Sequence, residues 1–113
     1  TTMYAWGDDI NSTRANYSSS GIGQTTDVGQ YTANPWGFFD MHGNVWEWVH
    51  DWKANYLSGA QTDPEGPASG SKPVIRGGSW DNVGAILRSA RRNIDSPSYR
   101  ASNIGFRVGF QKQ

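Results

Sequence analysis

Oxygen donors are the residues of this chain best placed to do chemistry. The run Asp40-x-x-Gly43-x-Val45-x-Glu47 brings together two carboxylates and two backbone carbonyls, the hard-oxygen set that Ca2+ prefers. Glu47 has a competing use. Flanked by Trp46 and Trp48, it can pair with an arginine such as Arg76 or cap a turn, and residue types leave both roles open. His42 and His50, with Asp40 and Asp51 close in sequence, have the composition of a two-histidine, one-carboxylate iron site. The preferred expectation is that both histidines are ordinary surface or turn residues. Cysteine is absent, which removes disulfides, thiolate metal sites and cysteine nucleophiles together.

Six tryptophans (Trp6, Trp36, Trp46, Trp48, Trp52 and Trp80) could be a sugar-stacking set, but in a chain so poor in aliphatic residues they are expected to form the core. Trp80 is the exception: it directly precedes a polar stretch and is expected to floor a ligand site. Arg76, Arg88, Arg91, Arg92, Arg100 and Arg107 give the C-terminal third a basic excess. Most are expected to satisfy loop carbonyls and carboxylates, which suits the planar guanidinium fork, with Arg91 the exposed member.

The elements that must position these groups are short. Residues 1–34 read as ordered loop, with alternation only around Val28–Tyr31, and 34–52 form the densest aromatic stretch, where Trp46 and Trp48 alternate with Glu47 as in a strand. Residues 53–73 carry the Pro, Gly and Ser of a surface loop. Val74–Trp80 reads as a buried strand ending in a glycine turn, Ile86–Arg91 as one helical turn, and Ile104–Phe110 as a closing strand. The 113 residues, 35% apolar and 18% charged, fit one small globular domain. Ten basic and ten acidic side chains cancel, so no field gathers phosphate backbones and nucleic acid is not expected as a partner. Neither a membrane span nor a signal peptide is legible.

Four blocks resemble one family: Tyr4-Ala5-Trp6-Gly7-Asp8, NPWGFFDMHGNVWEW at 34–48, RGGSW at 76–80, and R-S-A-x-R at 88–92 with GFRV at 105–108. Together they resemble the C-terminal part of formylglycine-generating enzymes, or sulfatase-modifying factors. That resemblance implies an α+β, C-type-lectin-like fold of the formylglycine-generating-enzyme type, with short antiparallel strands and long ordered loops. It makes 1–113 a single domain corresponding to the C-terminal part of a longer family domain. It also implies a structural Ca2+ held by the side chains of Asp40 and Glu47 and the carbonyls of Gly43 and Val45. A second, weaker Ca2+ position would fall on Asn16, the Tyr17 carbonyl, Ser20 and the Ile22 carbonyl, with serine where a carboxylate is expected. The family's enzymes use two cysteines after the glycine turn to bind copper; here that stretch reads Asp81-Asn82-Val83-Gly84-Ala85-Ile86. Soft Cu(I) has only Met3 and Met41 to turn to, so the oxidase activity is expected to be absent.

The RGGSW-to-GFRV frame is also similar to that of variable proteins of diversity-generating retroelements. In these, adenines of asparagine codons are rewritten, so variable positions avoid Lys, Glu, Gln, Met and Trp. Residues 81–104 contain none of those five types, although Glu65 and Lys72 precede the stretch and Gln111 follows it. A polar loop in a Lys-poor domain can show the same gap by chance. The resemblance implies a non-catalytic receptor whose ligand residues are Trp80, Asp81, Asn82, Val83, Ala85, Ile86, Arg91, Asn93, Ile94, Asp95, Ser96, Ser98, Tyr99, Ala101, Ser102 and Ile104. Ile86, Ile94 and Ile104 follow neither a strand nor a helix period, as expected of a recognition surface rather than a core face. The partner is then a protein or surface ligand, met at a cell surface, as a secreted protein or on a phage virion rather than in the cytoplasm. The alternative is a sulfatase-modifying-factor enzyme or enzyme fragment that has lost its cysteines.

Overall fold

The computed structural model describes residues 1–55, 58–62 and 66–110. Parts of the expected 53–73 loop, together with Glu65 and Gln111, lie outside them. Its centre is a four-stranded mixed sheet built from β1 (Trp46–Trp52), β2 (Pro73–Arg76), β3 (Arg92–Ile94) and β4 (Ile104–Gly105), in the order β3-β2-β1-β4. The aromatic and β-branched run WEWVHDW supplies the longest strand, as such residues favour a pleated, half-buried surface. β2 lies antiparallel to β1, with Glu47 opposite Arg76 and Trp48 opposite Ile75, and the register shifts before Trp52 meets Pro73. β3 runs antiparallel to β2 and β4 parallel to β1. Two single 3-10 turns, Ser18–Ser20 and Gly84–Leu87, are the helical elements among the described residues.

Several sequence expectations are corrected. The strand expected within 74–80 does end in a glycine turn, after Arg76, because Gly77 and Gly78 take φ of 94° and 71°, a left-handed region that ends a ladder. The helical turn expected at Ile86–Arg91 starts two residues earlier and is shorter, at Gly84–Leu87. There the Arg88 Nε donates to the Ala85 carbonyl and Arg88 itself turns extended, at φ −56° and ψ 146°. That extension lets Arg92–Ile94 pair with β2, an added strand the sequence pattern did not announce. Past Gly105 the expected closing strand leaves the ladder, and the Arg107 guanidinium turns back to the head of β1. Val28–Tyr31 is not a strand; it turns at Gly29, with φ 77°.

The tryptophans do not form the core. Trp46 alone among them is buried, and Trp36 is 84% exposed. The interior is Tyr4, Ala15, Tyr17 and Leu87, with Trp6 and Ile10 packed against it, and Val74 and Ile75 buried in the sheet. Close backbone approach explains the choice of slender side chains. A Cβ on Gly78 would sit 2.7 Å from Leu87 Cδ1, and one on Gly84 would sit 2.6 Å from Ile10 Cγ2. Indoles are too wide for such gaps, so Trp6 stacks on Tyr4 from the rim, 5.4 Å between centroids.

Candidate ligand-binding face and carboxylate recess

The segment from Trp80 to Ile104 runs from the turn after β2 through one edge strand, β3, to the other, β4, and is held largely by main-chain tethers. Ser18 N–H donates to the Asn82 carbonyl, Ser89 N–H to Met3 and Trp46 N–H to Asn103, while the Trp80 indole N–H reaches the Ser102 carbonyl at 3.3 Å. Asp81, Val83, Ala85, Arg91, Asn93, Ser96, Ser98, Tyr99, Ala101 and Ser102 are exposed; Trp80, Asn82, Ile86, Ile94, Asp95 and Ile104 are half-buried. Leu87, between Ile86 and the R-S-A frame, is 0% exposed. A depression of about 340 Å3 brings together Asn82, Ile86, Arg91, Asn93, Asp95, Tyr99 and Ile104. Ser98 and Ala101 line a second, beside Trp48.

Trp80 does not floor the first depression. Trp46 and Ile75, from adjacent strands, lie beneath it, and Asn103 completes its wall. Two of the named positions are structural as well as superficial. Asn82 Oδ1 accepts from Ser79 N–H (3.0 Å), the Ser79 hydroxyl shares its single proton between Asn82 Oδ1 (2.7 Å) and Asp81 Oδ1, and Asp81 also accepts from the Asn103 amide. These bonds close the turn after the double glycine around a buried Ser79.

On the other side of β1, Asp40, Gly43, Val45 and Glu47 all line a recess of about 380 Å3, together with Phe39, Phe106 and Arg107. Glu47 pairs with Arg107, not Arg76. The Arg107 Nε donates to Glu47 Oε1 at 2.7 Å, and its terminal nitrogens donate to the carbonyls of Phe39 and Asp40. Arg76 instead reaches the Ser89 carbonyl. Burial pushes the Glu47 carboxyl above its usual range; the Arg107 partner pulls it back and the neighbouring Asp40 adds repulsion. Asp40, at φ 54°, accepts from Gly29 N–H through Oδ2. Asp40 Oδ1, Glu47 Oε2 and the Gly43 and Val45 carbonyls take no hydrogen bond from the described residues. Two mutually repelling carboxylates with four uncommitted oxygens fit a hard cation, while the Arg107 charge beside them lowers the attraction. At the second expected position, Asn16 Oδ1 is buried without a partner, but Ser20 Oγ is engaged by the Ala15 carbonyl and the Tyr17 N–H.

Sequence reasoning missed His42. Far from a surface residue, it is 8% exposed, its Nε2 accepts from Ala5 N–H at 3.2 Å and its Nδ1 lies 2.7 Å from the Leu87 carbonyl. The first contact requires a bare Nε2, so the proton sits on Nδ1 and is donated to Leu87. Burial lowers the tendency of this ring to protonate. His50 is exposed on β1 and both His42 nitrogens are engaged, so the iron-site combination is not assembled. Among the described residues no three His, Asp or Glu side chains cluster as metal ligands, and no helix is long and apolar enough to cross a membrane.

The family model described as Sulfatase-modifying factor enzyme 1-like domain matches residues 1–111. The chain is 43% identical over 108 residues to a protein named serine/threonine-protein kinase pkn1 from Chlamydia caviae, covering 92% of this chain and 17% of that protein. It is 33% identical over 122 residues to a formylglycine-generating enzyme of Streptomyces coelicolor, covering 92% of this chain and 39% of the enzyme. Among solved structures it is similar to Treponema denticola variable protein 1, with TM-score 0.77 and 38% identity over 83% of this chain and 34% of that one. The chain thus spans well under half of each of these proteins.

Proposed function

This chain belongs to the sulfatase-modifying factor enzyme 1-like family, and we propose that it serves as a non-catalytic ligand-binding domain with a C-type-lectin-like fold, whose recognition face is the 80–104 surface. One observation carries this most: of the sixteen side chains implicated by their residue types none is buried, and Asn82, Ile86, Arg91, Asn93, Asp95, Tyr99 and Ile104 meet in one depression, while the intervening Leu87 anchors the segment in the core. Rigid scaffolding under exposed tyrosine, asparagine and serine side chains is the arrangement of a paratope. Likeness to a variable protein supports the same conclusion. The absence of cysteine argues against copper chemistry of the sulfatase-modifying kind.

A bound Ca2+ would be held by Asp40, Glu47 and the Gly43 and Val45 carbonyls, and would supply charge neutralisation there. The chain's own residues do the rest: Arg107 ties the 39–40 loop to β1, and His42 ties the first turn to the base of the recognition segment. A protein or surface ligand met outside the cytoplasm accords with such a face. The decisive test is nucleotide sequencing of the gene and its downstream flank. A near-repeat of codons 76–108, differing only where the repeat has adenine and lying beside a reverse-transcriptase gene, is expected; a flank without such a repeat removes the diversified-receptor proposal. The likeness to formylglycine-generating enzymes favours one other role, a family module supporting chemistry contributed elsewhere. Copper-dependent oxidation of a cysteine peptide by this chain would establish that role instead.

A further inference from the structure

The geometry points to a carboxylate on a protein partner as the group received by the depression between Arg91, Tyr99 and the sheet. This inference rests on the recognition-face proposal and specifies its ligand. Two of the three amides lining the depression, Asn82 and Asn93, have their oxygens already occupied, whereas Asn103 spends its Nδ2 on Asp81. Asn82 Oδ1 accepts from Ser79 N–H and Oγ, and Asn93 Oδ1 accepts from Ile94 N–H at 3.0 Å. Because a main-chain N–H can only donate, the orientation of these two amides is fixed by their partners, and each Nδ2 is left over as a donor. Neither Nδ2 has an acceptor among the described residues, nor do the Arg91 guanidinium or the Tyr99 hydroxyl.

Two amide N–H2 groups, a guanidinium and a phenol therefore line one hollow of about 340 Å3. The exceptions are the Asn103 oxygen and Asp95, which spends Oδ1 on Ser96 N–H and leaves a carboxylate in the wall. A donor-rich hollow calls for an acceptor-rich occupant, and a carboxylate offers about four lone-pair sites with the charge that Arg91 completes. A protein side chain suits the site better than a phosphate chain. The whole chain carries no net charge, and Asp95 repels a dense anion.

Panning a displayed library of random linear peptides against the full chain tests this. Wild type should enrich peptides containing Asp or Glu, and Arg91→Glu, at an exposed position, should enrich Lys and Arg instead. For a selected acidic peptide, Arg91→Ala should weaken binding by about tenfold to a hundredfold, the usual scale of a charged hydrogen bond. Asp95→Asn should tighten it. Selected peptides that bind wild type and Arg91→Glu equally, yet lose binding when Asn93 and Tyr99 are both changed to Ala, would overturn the carboxylate assignment and leave the recognition face standing. Peptides indifferent to the double change as well, or no enrichment at all, would overturn both.

Discussion

Leu87 and Ala85 share one 3-10 turn, yet they should respond oppositely to substitution. Leu87 has no exposed surface; it packs in the cluster of Tyr4, Ala15 and Tyr17 and fills the notch between two glycine turns. A Cβ added to Gly43 or to Gly78 would lie 3.0 or 2.7 Å from its methyl groups. Those turns are fixed by main-chain bonds, Gly43 N–H to Gly77 and Trp80 N–H to Asn44, so they cannot collapse into the void left by Leu87→Ala. The cost should fall in the upper range for such truncations, about 3 to 5 kcal/mol. For a chain of this length that corresponds to a loss of roughly 12 to 20 °C in Tm, taking about 4 °C per kcal/mol. Replacing Val83, Ala85, Asn93 and Ser98 together by serine or alanine should cost under about 1 kcal/mol, since all four are exposed. Thermal unfolding followed by tryptophan fluorescence, with urea titration at 25 °C as a check, separates the two. A Leu87→Ala loss below about 1 kcal/mol, or a surface-variant loss above about 2 kcal/mol, would refute the division into anchor and face.

Three further outcomes are expected. Burial holds the native His42 imidazole neutral below its ordinary 6.5, so as pH falls from about 6.5 the unfolded chain takes up a proton that the native chain refuses. Stability therefore rises with pH across that window and is lost on acidification; urea midpoints between pH 5 and 7.5 should show a slope that His42→Asn abolishes, and an unchanged slope would assign it elsewhere. Glu47, raised above its ordinary 4.5, contributes the opposite slope in the window just above that value. Arg107→Gln strands a half-buried carboxylate and should cost about 1 to 3 kcal/mol without Ca2+. The same change should tighten Ca2+ binding, read as the Ca2+ dependence of Tm against EDTA, whereas a Tm indifferent to Ca2+ in both proteins would dismiss the cation. Gly43→Ala places a methyl against the Asn16 carbonyl at a φ of 81° and should lose about 2 kcal/mol or more beyond the loss from Gly21→Ala, which shares the left-handed strain at φ 72° but meets open space; equal losses in urea would refute the clash.

Legibility followed periodicity and residue type. β1 was readable because Trp46 and Trp48 alternate with Glu47, and the end of β2 because two glycines follow it. β3 was not readable: Arg92-Asn93-Ile94 has no strand signature, and its pairing is dictated by the edge that β2 offers. The core was misassigned for a related reason. Composition says which side chains are large, but the narrow approach of backbones at Gly43, Gly78 and Gly84 decides which ones fit. The four oxygen-bearing positions of the recess were legible as a set, since they sit in one short run, whereas Arg107 lies sixty residues from Glu47 and only folding reveals that it is the partner.

A surface can vary only if its backbone does not depend on the side chains being changed. Between Trp80 and Ile104 that condition largely holds, because the tethers to Ser18, Met3, Trp46 and β2 run through main-chain atoms that any residue supplies. The exceptions sit at the start. Asp81 and Asn82 use their side chains to hold the buried Ser79, so replacing them removes bonds from a site without water access. The cost of losing the Asn82 contact should be about 1 to 3 kcal/mol, against a few tenths at Ser98 or Ala101. The tolerated diversity should therefore be graded along the segment, most restricted next to the double glycine and widest over 93–102. A saturation library sorted for folding alone, with no ligand, would show that gradient; equal tolerance at Asn82 and Ser98 would mean that the turn around Ser79 does not need its side-chain cap.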